Sequence, residues 1–145
     1  MAKTTTTQTA AKTTARNPEI NHAVQHFEIV TKDPVNLRKF LEKQFGWKFE
    51  TTKMPGMTGD YHTFRTPDGN GGGVLAPQMP TAPLAVTPYV NVENCSASEK
   101  SCQKNGATIV MPTTDIPGVG RFFMFQFQNS PVLACFESTN IPSRN

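Results

Sequence analysis

The 145-residue sequence predicts an α+β fold built from two similar halves, each opening with a strand that feeds a capped helix. Three observations carry this. First, VQHFEIV alternates, with Val24, His26 and Glu28 on one face and Gln25, Phe27 and Ile29 on the other. Second, a helix follows with start and stop signals: Asp33 as cap, Pro34 at the first helical position, Gly46 at the left-handed exit. Third, the pattern returns after a proline-rich break, in PYVNVENCSASEKSCQKNGATIV.

The first helix carries Leu37, Phe40, Leu41 and Phe45 at helical spacing, a stripe expected to pack on Phe27 and Ile29. By elimination His26 and Glu28 point away from it. The stretch after Trp47 holds Phe49, Tyr61 and Phe64 in short strand-like runs divided by Pro55, Gly56, Asp68 and Gly69, which reads as two or three antiparallel strands. Gly71, Gly72 and Gly73 would weaken an ordinary strand, so they mark a bulge or a close approach of the backbone to something else. A phosphate-binding loop is a poor alternative, since no Lys and no helix signature follow them.

Residues 77–87 have the composition of an extended connector between one half, 22–76, and the other, 88–138. Aligning the halves sets Thr87, Tyr89 and Asn91 against Val24, His26 and Glu28, and Val90 and Val92 against Phe27 and Ile29. Asn94 is the expected cap and Gly106 the stop of the second helix, whose apolar candidates are Cys95, Ala97 and Cys102. Two antiparallel strands follow: Phe123, Phe125 and Phe127 alternate with Met124, Gln126 and Gln128, and a run from Val132 to Glu137 returns. Residues 1–21 are rich in Thr, Ala and Lys with nothing to bury, as expected of a disordered tail, and 139–145 form a second short tail. The acid-free stretch before Glu19 permits an organelle transit peptide, but few arginines and no amphipathic face favour a solvated segment.

Charge and cysteine content exclude several classes. Lys3, Lys12 and Arg16 against Glu19 put most of the net charge of +3 in the tail, leaving a nearly neutral body without a nucleic-acid footprint. Cys95, Cys102 and Cys135 cannot all pair and show no zinc or redox spacing, so a reducing, cytoplasmic setting is expected, with the thiols as small apolar fillers. No apolar run approaches the roughly 20 residues that cross a bilayer.

The order HFEI, Asp-Pro helix start, FGW, GGG, a second strand-helix unit ending in NGA, and IPGVG before a phenylalanine-rich strand resembles the glyoxalase, bleomycin-resistance and extradiol-dioxygenase family, the vicinal oxygen chelate superfamily. The resemblance covers residues 22–138. It implies two βαβββ modules whose curved mixed sheets form a cleft, commonly within a homodimer, acting on a small oxygenated molecule as a lyase, isomerase or dioxygenase. It also implies a divalent metal held by one ligand from the first and one from the last strand of each module. His26 matches the first position. Tyr89, the glycines at 72 and 73, and Ala134 occupy the other three, so the metal site is expected to be incomplete. Glu137 shares the face of Leu133 and Cys135 and misses the cleft unless a register slip intervenes.

His26 is thus either a ligand or general base, with Glu28 beside it to orient it, or a hydrogen-bonded histidine lining a cavity. Tyr89, Asn91, Met124, Gln126 and Phe136 mark a mixed face that is either a small-molecule pocket or a filled sheet interior. His62 is expected at an edge or on the surface, and His22 has no nameable partner. Three functions stay open: a metal-independent small-molecule binder, a metal-dependent enzyme, and a non-catalytic stress or interaction protein. Sequestration of a cationic antibiotic would need an acidic cleft, which the near-neutral body does not provide.

Overall fold

The computed structural model describes residues 20–139. Ten elements follow in order: β1 (Val24–Val30), α1 (Pro34–Phe45), β2 (Lys48–Thr52), β3 (Tyr61–Arg65), β4 (Gly71–Leu75), β5 (Ala85–Asn91), α2 (Cys95–Lys104), β6 (Thr108–Ile116), β7 (Gly120–Gln126) and β8 (Leu133–Ser138). The strands form one open, mixed eight-stranded sheet in the order β2-β3-β4-β1-β5-β8-β7-β6. The order is two copies of one pattern back to back. In each, the first strand pairs parallel to the last, β1 with β4 and β5 with β8, and the two first strands meet antiparallel at the centre.

Local chemistry explains the helices. The Asp33 carboxylate accepts from the Asn36 amide at 3.1 Å, Pro34 needs no partner for its nitrogen, and Gly46 exits at φ 67°, a left-handed conformation that costs a residue with Cβ. Asn94 caps α2 in the same way through the Ala97 amide at 2.9 Å. Each helix covers the same side of its own half of the sheet. Under α1, Leu41, Phe64 and Val74 form a buried cluster with Phe27, Ile29, Leu37, Trp47 and Phe49 around it. Under α2 the cluster is Val92, Cys95, Phe123 and Cys135. The two free cysteines there fill apolar space, and burial pushes the Cys95 thiol up to about 11 and the Cys135 thiol up to about 12.

Three sequence expectations need correction. Only Leu37 and Leu41 of the predicted stripe reach the core; Phe40 and Phe45 stay more than half exposed and pack edge-on against each other, because the covered arc of α1 is narrower than its apolar arc. The connector ends earlier than its prolines suggest, since β5 begins at Ala85 and takes Pro88 into a central strand. Pro88 opposes Phe27 of β1, and β8 joins β5 only from Tyr89 onward, so it lies just before the two-sided ladder begins. His62 is buried, not peripheral: it lies on the helix-facing side of β3, its ring bonded to Thr51 Oγ1 through Nδ1 at 2.8 Å. The predicted N-terminal tail before residue 20 and the C-terminal tail after residue 139 lie outside the described residues.

Candidate functional site

Strand alternation turns the other face of the sheet away from both helices. With Phe27 and Ile29 committed to the core under α1, His26 and Glu28 emerge on the open face at the centre of the molecule. There His26 stands opposite Tyr89 of β5, their rings edge-on at 5.3 Å, and Glu28 stands opposite Thr87. The central seam therefore brings the two module starts face to face.

Glu28 is the organising group. Tyr61, from β3, donates its hydroxyl to Glu28 Oε2 at 2.9 Å, and Tyr89 donates to Oε1 at 2.5 Å, so both carboxylate oxygens accept from tyrosines of different modules. Since the Tyr61 proton is directed at Glu28, the 3.1 Å contact between Tyr61 Oη and His26 Nε2 is made by an imidazole N–H donating to the phenol oxygen. A chain of hydrogen bonds thus runs from His26 through Tyr61 to Glu28 and on to Tyr89. Burial raises the Glu28 pKa from its ordinary value near 4.5, and the two tyrosine donors offset part of that rise. Both tyrosines titrate well above the usual phenol range, first through burial and then through the adjacent carboxylate.

The glycine run makes this possible. A Cβ on Gly73 would lie 2.1 Å from the Tyr61 ring, so the ring rests directly on the bare β4 backbone to reach Glu28. Gly72 is equally committed, with a Cβ there meeting the Phe27 carbonyl at 1.9 Å. The close approach expected from the glycines is an aromatic ring, and Tyr61 is the member of the hydrogen-bonded centre that sequence reasoning missed. Its signal was present in the alternation of DYHTF, but the register of that strand against the glycines was not.

The remaining candidates divide. Asn91 is buried and donates from Nδ2 to Gln25 at 2.8 Å; a bulge between Val24 and His26 resets the alternation there. Met124 lies opposite Ala134, and Phe136 opposite both Asn91 and Phe122, on the open face of module two. Gln126 is turned to the β7–β8 connection, where Nε2 donates to the Ser130 carbonyl at 2.6 Å. Glu137 sits on the helix side: it pairs with Arg121 at 2.6 Å and accepts from the Cys95 amide at the start of α2. His22 turns the chain into β1 at φ 65°, its amide bonded to the Asn91 carbonyl. A separate concavity of about 420 Å³ lies at the β6–β7 turn, lined by Ile116, Gly118, Arg121 and Glu137 among others, away from the His26 centre. Among the described residues no group of three His, Cys, Asp or Glu side chains gathers to hold a metal ion.

Two βαβββ halves sharing an open sheet, with their first strands paired at the centre, define the glyoxalase-like fold. Methylmalonyl-CoA epimerase from Mycobacterium tuberculosis superposes at a TM-score of 0.68 over 86% of this chain and 93% of its own, at 9% identity. The Streptomyces coelicolor epimerase in complex with 2-nitronate-propionyl-CoA gives 0.64 over 86% and 99%, at 12% identity. A glyoxalase I mutant from Zea mays gives 0.62 over 81% of this chain and 43% of that one, at 19% identity. In sequence, the chain is 30% identical over 98 residues to "Putative glyoxylase CFP32" of Mycobacterium bovis, covering 65% of this chain. The chain spans 37% of the length of that relative. No family model matches. The fold is that of glyoxalase-like, or vicinal oxygen chelate, proteins, and over 98 residues the sequence is similar to a relative named as a glyoxylase.

Proposed function

We propose that the protein binds a small organic molecule on the open face of its sheet, at a polar centre made of His26, Tyr61, Glu28 and Tyr89, without a resident divalent metal. The observation that carries this reading is the double capture of Glu28. Of the four positions the family resemblance assigns to metal ligands, only that of His26 has an imidazole or carboxylate; Tyr89, Gly73 and Ala134 fill the others. Glu28, the nearest additional donor, has each oxygen engaged by a phenol. An ion would have to displace two hydrogen bonds from a buried group to gain two protein ligands, too few for tight retention. The donor set does not fit a resident divalent metal.

What these residues support is proton handling. His26 is placed to exchange a proton with a bound carbonyl or hydroxyl, while Tyr61 and Glu28 set its tautomer and hold charge behind it. That fits an isomerase- or lyase-type step on an oxygenated substrate, and it equally fits tight recognition without turnover. The superfamily's epimerase relatives are captured with coenzyme A esters, which supports a small organic ligand here. The free cysteines support a reducing compartment, and the exposed Phe40 and Phe45 are a surface on which a homodimer can form. Among the described residues no helix is long and apolar enough to cross a membrane.

Two measurements test the reading. Metal analysis of protein purified without chelator should find no near-stoichiometric Ni, Zn, Fe or Mn; such an ion, lost in His26→Ala, would establish the metal-dependent alternative instead. Ligand-observed NMR with a library of small oxygenated acids and ketones should give hits that His26→Ala weakens. Hits indifferent to that change would place the binding site elsewhere.

A further inference from the structure

The strand registers put one residue from every strand into a single transverse row across the sheet: Lys48, Arg65, Gly71, His26, Tyr89, Ala134, Met124 and Met111. Alternation assigns this row to the open face. Phe49 and Phe64 lie in the core under α1, which turns their neighbours Lys48 and Arg65 the other way, and Phe123 lies in the core under α2, which does the same for Met124. The row is polarised along its length. One end is cationic, the middle is the His26–Tyr89 pair, and the other end is apolar.

Among the described residues the cationic end lacks a compensating carboxylate in ion-pair contact. Lys48 and Arg65 are direct cross-strand neighbours, an arrangement that is destabilising for like charges. Both are exposed, and the ion pairs among the described residues, Arg38–Glu42, Lys53–Asp60 and Arg121–Glu137, include neither. Glu50 is the nearby carboxylate of the same face, in the next row opposite Thr63, and it makes no ion pair with them. Between Arg65 and His26 the row passes over Gly71, which has no side chain to block the path. Beyond Tyr89, Ala134 is fully buried, Met124 is half-buried and Met111 is 40% exposed, while Phe122 and Phe136 add aromatic surface in the neighbouring row.

We propose that the ligand is an amphipathic organic anion. Its carboxylate or phosphate head rests on Arg65 and Lys48, its middle crosses Gly71 to lie beside His26, and its apolar chain runs toward the partly exposed Met124 and Met111. This rests on the open face being the small-molecule cleft. Dimensions are consistent: from Arg65 to Met124 the row takes five strand steps of ~4.8 Å, roughly 24 Å, and the reach of the two side chains leaves about half of that for the ligand. A saturated chain of about ten carbons fills it. The head specifies orientation through charge, where Arg is suited to planar oxyanions and Lys adds a point charge. The chain supplies affinity by burying apolar area.

The test uses the full chain with decanoate, decyl phosphate and the neutral decanol, below their aggregation concentrations, followed by calorimetry and amide NMR. Either anion should bind at least tenfold tighter than decanol, and the tighter of the two names the head group. Arg65→Ala and Lys48→Ala, both at exposed positions that leave the cores untouched, should each weaken the anions about tenfold and change decanol binding less than twofold. Met124→Asp should weaken all three. Decanol binding as tightly as the anions, with Arg65→Ala silent, would overturn the anionic ligand while leaving the cleft in place. Amide shifts that avoid His26 and Tyr89 for all three probes would overturn the cleft assignment itself.

Discussion

The two modules share a topology and differ in the side chains of their open faces. In module one the open face is polar and internally bonded: His26, Glu28 and Tyr61 form one hydrogen-bonded chain over bare glycine backbone. In module two the same face offers Ala134, Met124 and Phe136, and Tyr89 joins the chain from the strand nearest module one. The helix-facing cores differ as well, aromatic under α1 and smaller, cysteine-containing under α2. A βαβββ module needs an apolar layer under its helix and alternation along its strands. It makes no demand on the identity of the outward residues, so these were free to diverge into a polar half and an apolar half.

Glu28 and Glu137 sharpen the contrast. Both are carboxylates on strands that pair beside the centre of their modules, yet one faces the open side and binds tyrosines while the other faces the helix and binds Arg121 and the first amide of α2. Parity along the strand decides between a site residue and a cap. Glu137 serves α2 as an anion at the positive end of its dipole.

If each module has its own core, the largest effect comes from emptying one of them. Phe123→Ala removes a fully buried ring from module two and should cost about 3–5 kcal/mol in urea denaturation. Amide shifts of β1, β3 and β4 that survive in the folded variant would show that the two cores fail separately; uniform loss would show one cooperative unit. Next comes the glycine floor of module one. Gly73→Ala forces Tyr61 off β4, leaving one Glu28 oxygen without its donor, and should cost about 1–3 kcal/mol, with loss of the His26 to Tyr61 contact seen in the imidazole NMR signals. An unchanged His26 signal would break the assigned chain.

The smallest effect is a slope. Because Glu28 titrates above its ordinary value near 4.5 in the folded state, the folded chain holds that proton more tightly than the unfolded one. Its contribution is constant below that ordinary value, and stability falls as pH rises from there through the folded value, then levels off. Glu28→Gln should remove this component, so the stability difference between wild type and variant, followed from about pH 4 upward, should drift against wild type and then flatten. A difference that does not change with pH would mean that the tyrosine donors fully compensate burial. Asp60 and Asp68 shift the opposite way but are present in both proteins and cancel.

The sequence by itself determined the helix caps and the two faces of the first strand of each half; β6, the start of β5 and the inward face of His62 it did not. Asp33, Pro34, Gly46 and Asn94 act through bonds to chain neighbours, and Phe27, Ile29, Val90 and Val92 act through a two-residue period, so both were legible without a partner strand. The likeness of the halves, and with it the pairing of His26 and Tyr89 as equivalent positions, was legible for the same reason. Tertiary structure decided which residues meet. Tyr61 and Glu28 lie 33 positions apart and Tyr89 and Glu28 lie 61 apart, and their meeting depends on the register of β3 on β4 and of β5 on β1. Those registers are set by the packing of whole strands and by the space left at Gly73, not by any local pattern. The sequence marked His26 as the centre; only the packed sheet turned the missing ligand at Gly73 into the seat of a tyrosine.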